Sequence, residues 1–197
     1  MLLSELSALV VNFSPYLKKL LSFKKQKLNY MDAKMQINLL AALVPVLVAI
    51  LWYSPVFLGP LWAKIGVPIE KKSPGHVALV LAVTYVAGYF IASHILRGIV
   101  IHQSGIYSML AGDPDMKDKN SALFITVQGL MDKYGHNYRT FKHGAFHGYQ
   151  VGLYLILPLL AIIGLVEKRK ISWILVHAVY ATISLAIMGG IICQYMP

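Results

Sequence analysis

Residues 143–166, HGAFHGYQVGLYLILPLLAIIGLV, are followed by EKRK at 167–170 and ISWILVHAVYATISLAIMGGIIC at 171–193. The contrast between these three pieces decides the fold. Two apolar runs, each near the roughly 20 residues that a bilayer-crossing helix needs, flank four charged residues. In lipid every backbone N–H and C=O must be paired within the protein, so such a run folds as a helix. A barrel strand would instead alternate polar and apolar residues. A turn as short as 167–170 makes the two helices antiparallel neighbours.

Working upstream, two more runs have the same character, 37–58 and 77–101. The reading is an all-α membrane protein with four transmembrane helices in an antiparallel bundle over 36–197. Charge marks the boundaries: Lys34 precedes the first run, and Glu70, Lys71, Lys72, Ser73, Pro74 and Gly75 separate the first two. Trp52, Tyr53, Trp62 and Trp173 lie near run ends, where aromatic side chains settle at a membrane–water interface. Between the second and third runs lies a connector, 102–142. It opens with a polar turn around Gly112–Asp118. Leu123, Phe124, Val127, Leu130 and Met131 then recur every three or four residues, the pattern of an amphipathic helix over 121–134.

The segment 1–35 is basic and amphipathic. Leu2, Leu6, Leu9, Phe13, Leu17 and Leu20 share one helical face, interrupted by Pro15, and Lys18, Lys19, Lys24, Lys25 and Lys27 follow. A signal peptide carries its positive charge before the apolar part, so an interfacial anchor is the expectation. A start at Met31 or Met35 would dispense with it.

Composition agrees with lipid as the solvent. Hydrophobic residues make up 57% of the 197 and charged residues only 13%, against roughly 25% charge in soluble domains. The net charge of +10 lies between apolar runs, where it meets anionic headgroups; nucleic acid is not an expected partner, whereas membrane lipids and a second copy of the chain are. The lone Cys193 excludes an internal disulfide and a cysteine metal cluster, and reads as a packed small hydrophobe. With four spans, twelve Lys and Arg fall on the side of the termini and six on the other. That bias puts both termini in the cytoplasm, in a multi-pass membrane protein. A start at Met31 would cut the tally to seven against six.

Close helix packing in lipid favours small residues. Gly144, Gly148 and Gly152 recur at four-residue spacing in the third span. Ala178, Thr182, Ala186 and Gly190 do so in the fourth, and Thr84, Gly88 and Ala92 in the second. The glycine face of the third span is expected to meet the small face of the fourth, and Pro45 and Pro158 are expected to kink their helices.

Other residues carry a resemblance. The run Ile37-Asn38-Leu39-Leu40-Ala41-Ala42, the motif Trp52-Tyr53-Ser54-Pro55 and the following Phe57, Gly59 and Trp62 resemble the opening of a bacterial membrane family catalogued as domain of unknown function 1761. The stretch from Arg139 to Gly148 looks like a second family feature. Phe57-Leu58-Gly59 departs from the usual Phe-Gly adjacency by one residue. The resemblance covers 37 to the C-terminus; it implies four spans in a small bundle and no activity.

His143 and His147 are the sharpest chemical feature. Four residues apart on a helix, they share a face, which Gln150 and Tyr154 extend. Helix packing is one reading, a proton or polar-ligand site a second, and a metal site a third, since two neutral imidazoles at this spacing can ligate one ion. His94, Arg97 and His102 close the second span; Arg97 can snorkel to headgroups or bind an anion. The second span ends where the third begins, so His94, Arg97, His102, His143, His147 and Asn38 form one candidate polar or ligand site. His177 belongs to the opposite side. The Trp52–Pro55 motif reads as a helix stop with aromatic anchoring, or as a seat for a lipid or quinone-like ring. No phosphate-cradling loop, nucleophile elbow or carboxylate pair occurs, and no cofactor is expected. Three functions remain open: a structural or accessory protein acting through lipids or a partner, a small oligomeric transporter or channel, and an enzyme or metal-binding protein using the histidines.

Overall fold

The computed structural model describes residues 32–67 and 72–197. The basic N-terminal segment, with its leucine face and lysines, therefore lies outside the described residues, as do Glu70 and Lys71 of the first loop. Of the unit spanning Met1–Gln36, the described part is the start of α1. There Asp32 caps the helix: its Oδ1 accepts from the Lys34 amide at 3.2 Å and its carbonyl from Met35 at 2.8 Å.

The compact unit Ile37–Pro197 holds the rest. Its helices are α1 (Ala33–Trp52, begun in the preceding unit), α2 (Gly59–Lys64), α3 (Pro74–Val100), α4 (Gln103–Met109), α5 (Ala122–Tyr134), α6 (Phe141–Val166) and α7 (Ile171–Tyr195). No strand occurs among the described residues. Four of these helices, α1, α3, α6 and α7, are long and apolar enough to cross a membrane.

Helix ends follow capping chemistry more closely than the limits of the apolar runs. The first run extends to Leu58, but α1 stops at Trp52, because Pro55 disfavours helical backbone at Ser54. The Ser54 carbonyl accepts from Gly59 at 2.8 Å and its Oγ from Val56 at 3.2 Å, a turn that leads into α2. Ser73 caps α3 and Thr140 caps α6, each hydroxyl accepting an amide three residues on, from His76 and His143. These are the orphan donors that a helix N-terminus must satisfy.

Two wide π turns interrupt the spans, Ile91–Leu96 in α3 and Gly152–Ile156 in α6. The second precedes Pro158, whose ring would press on the Tyr154 carbonyl in a regular helix; the wider turn relieves that contact. The first contains no proline. There the Ser93 hydroxyl donates to the Tyr89 carbonyl at 2.7 Å, an intrusion into the backbone ladder that loosens it. At Pro45 α1 continues as one helix, and the Tyr180 hydroxyl donates to the Pro45 carbonyl at 2.9 Å.

The closest packing is between α6 and α7, which run in opposite directions. Gly144 lies against Gly189 and Cys193, Gly148 against Leu185 and Ala186, and Gly152 against Thr182. The contact line on α7 is thus 182, 185/186, 189 and 193, and Gly190 instead faces the Phe141 ring. Strict four-residue spacing drifts about 40° per step around a helix, so a straight contact must alternate steps of three and four. Around this pair Ala41, Ala92, Leu96, Val100, Met188 and Ile192 complete the core. Gly88 of α3 abuts Pro45 and Ala42 of α1. The outer faces, with Leu79, Val83 and Phe90 on α3 and Leu155 and Ile162 on α6, are apolar and exposed.

Candidate metal centre

The glycine contact determines where the histidines point. Gly144 and Gly148 turn one face of α6 onto α7. His143 and His147 each precede one of these glycines by a residue, about 100° around the helix, and so project sideways. There they meet His102, two residues beyond the end of α3.

The three imidazoles converge. His102 Nε2 lies 2.9 Å from His143 Nε2, a hydrogen bond in which one ring donates and the other accepts. Ring centroids are 5.1 Å apart for His102–His143, 5.1 Å for His102–His147 and 4.6 Å for His143–His147. One ligand nitrogen from each ring can be chosen so that all lie within 4.8 Å of one another; His102 is exposed and the other two are half-buried. A tetrahedral zinc with Zn–N near 2.0–2.1 Å needs nitrogens about 3.3 Å apart. The shortest pair must therefore open by a few tenths of an ångström, and the widest must close by side-chain rotation. The donor set is all nitrogen, which suits zinc, copper or nickel and not magnesium or calcium.

The backbone around the triad is braced by the end of α7. The Cys193 thiol, fully buried, lies 3.4 Å from the Val100 carbonyl and 3.3 Å from that of Tyr138. It thus links the segments that carry His102 and His143. Arg139 donates to the Met196 carbonyl. Gln103 Nε2 donates to the Asn137 carbonyl at 3.0 Å, tying α4 to the turn before α6. Tyr138, with a left-handed φ of 61°, lays its ring 5.2 Å from that of His143. Cys193 and Gln103 carry no sequence signal for this role, because each bonds a backbone carbonyl brought near only by the fold.

The other residues singled out from sequence stand apart from the triad. His94 lies six residues before the end of α3, about 9 Å along the axis. Its Nδ1 pairs with the Ser93 hydroxyl at 2.7 Å and its ring with Phe90. Arg97 is half-buried one turn before the helix end. Asn38 is buried in the core, its Oδ1 without a partner.

A second polar cluster contains the Trp52–Pro55 motif. Trp52 Nε1 donates to the Val176 carbonyl at 3.1 Å, and Trp62 Nε1 to the Trp52 carbonyl at 2.6 Å. Tyr53 packs on His177 and Tyr180, and Trp173 on His177 with centroids 4.3 Å apart. His177 is therefore caged by aromatics around the α7 start. The motif acts as a latch of α1 and α2 onto α7.

The family described as protein of unknown function (DUF1761) matches residues 37–193. No curated protein and no solved structure matches the chain.

Proposed function

The chain belongs to the DUF1761 family of unknown function, and within that frame we propose that it is a multi-pass membrane protein that holds one transition-metal ion on a three-histidine site at a membrane face. The observation that carries this reading is the convergence of His102, His143 and His147, with ligand nitrogens within 4.8 Å. Two of the three come from one helix face and the third from a segment 41 residues away, so the meeting is a product of the fold and not of local spacing. Zinc or copper is the expected ion.

A second reading has its own support. Two imidazoles with Nε2 atoms 2.9 Å apart share a proton without any ion, which suits a relay at the end of a span. Transport draws less support, since the buried polar side chains among the described residues are only Asn38 and Ser184 and form no stripe across the spans. An accessory role through lipids or a second copy rests on the apolar outer faces alone. The Lys and Arg bias supports a reading with both termini in the cytoplasm, and the family resemblance one with the chain in a bacterial inner membrane; reporter fusions at each terminus test the orientation.

The function test is a cobalt titration of detergent-purified, chelator-treated protein. Tetrahedral cobalt bands saturating at one ion per chain, and absent in His143→Ala and His147→Ala, are expected. Folded protein that takes up no cobalt, zinc or copper would remove the metal reading and leave the imidazole relay in front.

A further inference from the structure

Beside the triad lies a cleft of about 290 Å³ between α4, α5 and the turn before α6. Its walls are apolar: Ile106 on α4, and Leu130, Met131 and Tyr134 on α5. The cleft adjoins the histidine triad through two residues. His102 lines it and is itself one of the three converging histidines. Tyr138 lines it and stacks against His143. The polar groups at its edge, Gln103 and Asn137, bond to each other through side chain and backbone, so the cleft offers little besides apolar surface. Its volume lies just below the usual range of ligand pockets, roughly 300–1,000 Å³, and leaves room for one alkyl chain.

Coordination and position point the same way. Three imidazoles leave a tetrahedral ion one open position, the arrangement of metal sites that take a ligand and not of closed structural ones. Among the described residues no fourth His, Cys, Asp or Glu joins the group. His102 lies just past the end of α3 and His143 in the first turn of α6. If those helices cross the bilayer, the site sits at headgroup depth, where a molecule with a polar head and an apolar tail is at home.

We propose that the open metal position and this cleft form one binding site for a single-chain amphiphile. An oxygen head completes the metal's coordination, and the alkyl or acyl chain lies along Ile106, Leu130 and Met131. This rests on the three-histidine metal reading.

The test uses full-length cobalt-loaded protein in detergent and two probes with the same chelating head, acetohydroxamate and octanohydroxamate. Both should shift the cobalt spectrum, with the octyl compound binding at least about tenfold tighter, as burial of several methylenes implies. Ile106→Trp and Leu130→Trp fill the cleft from opposite walls. In whichever retains the cobalt spectrum, the chain-length preference should vanish while acetohydroxamate binding stays. Equal binding of the two probes by the native protein overturns the proposal. So does a preference that persists in the filled variants, since that reports partition into detergent. In both cases the cobalt spectrum, and with it the metal reading, stands. Absence of any cobalt spectrum in the native protein overturns both together.

Discussion

Replacing Gly148 by alanine should weaken the α6–α7 contact by far more than one methyl group ordinarily matters. A Cβ at this position would lie 2.9 Å from the Ala186 Cα and closer still to the Leu185 carbonyl. Ordinary carbon contacts begin near 3.4 Å, and both obstructing atoms are backbone, which cannot rotate aside. The helices must part by about one ångström or more, giving up dispersion contacts along the neighbouring turns. Overpacking of this kind costs about 1–3 kcal/mol, offset by less than about 1 kcal/mol from alanine's better helix propensity. Gly98 and Gly129 are the controls, since an added Cβ there meets nothing within 4 Å. Gly98→Ala and Gly129→Ala should be neutral or slightly stabilising. Thermal unfolding in one detergent, followed by circular dichroism, compares the three. Gly148→Ala melting together with Gly98→Ala is the contrary result. It would mean that α6 and α7 do not approach each other as closely as described.

Other consequences follow from the same contacts. Tyr180→Phe removes the hydroxyl that donates to the Pro45 carbonyl; a loss of about 0.6 kcal/mol, the mean for hydrogen bonds between membrane helices, is expected in unfolding by denaturant in mixed micelles. Cys193→Ala should leave the melting temperature within a few degrees of the native value yet weaken cobalt binding several-fold, because the thiol links the Val100 and Tyr138 carbonyls that position His102 and His143. His102→Ala should abolish saturable cobalt binding, whereas His94→Ala should leave it unchanged, since the His94 ring pairs with Ser93 and Phe90. Competition with a colorimetric chelator reads both.

The sequence carried the class of the fold because four apolar runs admit few alternatives in lipid. It carried less about helix ends, where caps at Asp32, Ser73 and Thr140 and the stop at Ser54-Pro55 outweigh hydropathy. The π turn in α3 was not legible: a serine bonding back to its own helix looks, in sequence, like any small residue in a span. For the candidate site, the spacing of His143 and His147 was visible, and the topology brought His102 to the same side. His94 and Arg97 read as part of the same site because sequence order says which end of a span a residue occupies but not its height or azimuth. The brace from Cys193 and the stacking of Tyr138 depend on contacts across 93 and five residues, and no local pattern encodes the longer of these. The role of Trp52 in latching α1 to α7 through the Val176 carbonyl was hidden behind its equally good reading as an interface anchor.

X-ray absorption at the zinc edge of the zinc-loaded protein decides whether one ion binds His102, His143 and His147 together. Nitrogen scatterers at about 2.0–2.1 Å with the outer-shell signature of three imidazoles are expected, and no bound zinc in the His147→Ala variant. A first shell of oxygen with one imidazole or none would contradict binding by all three.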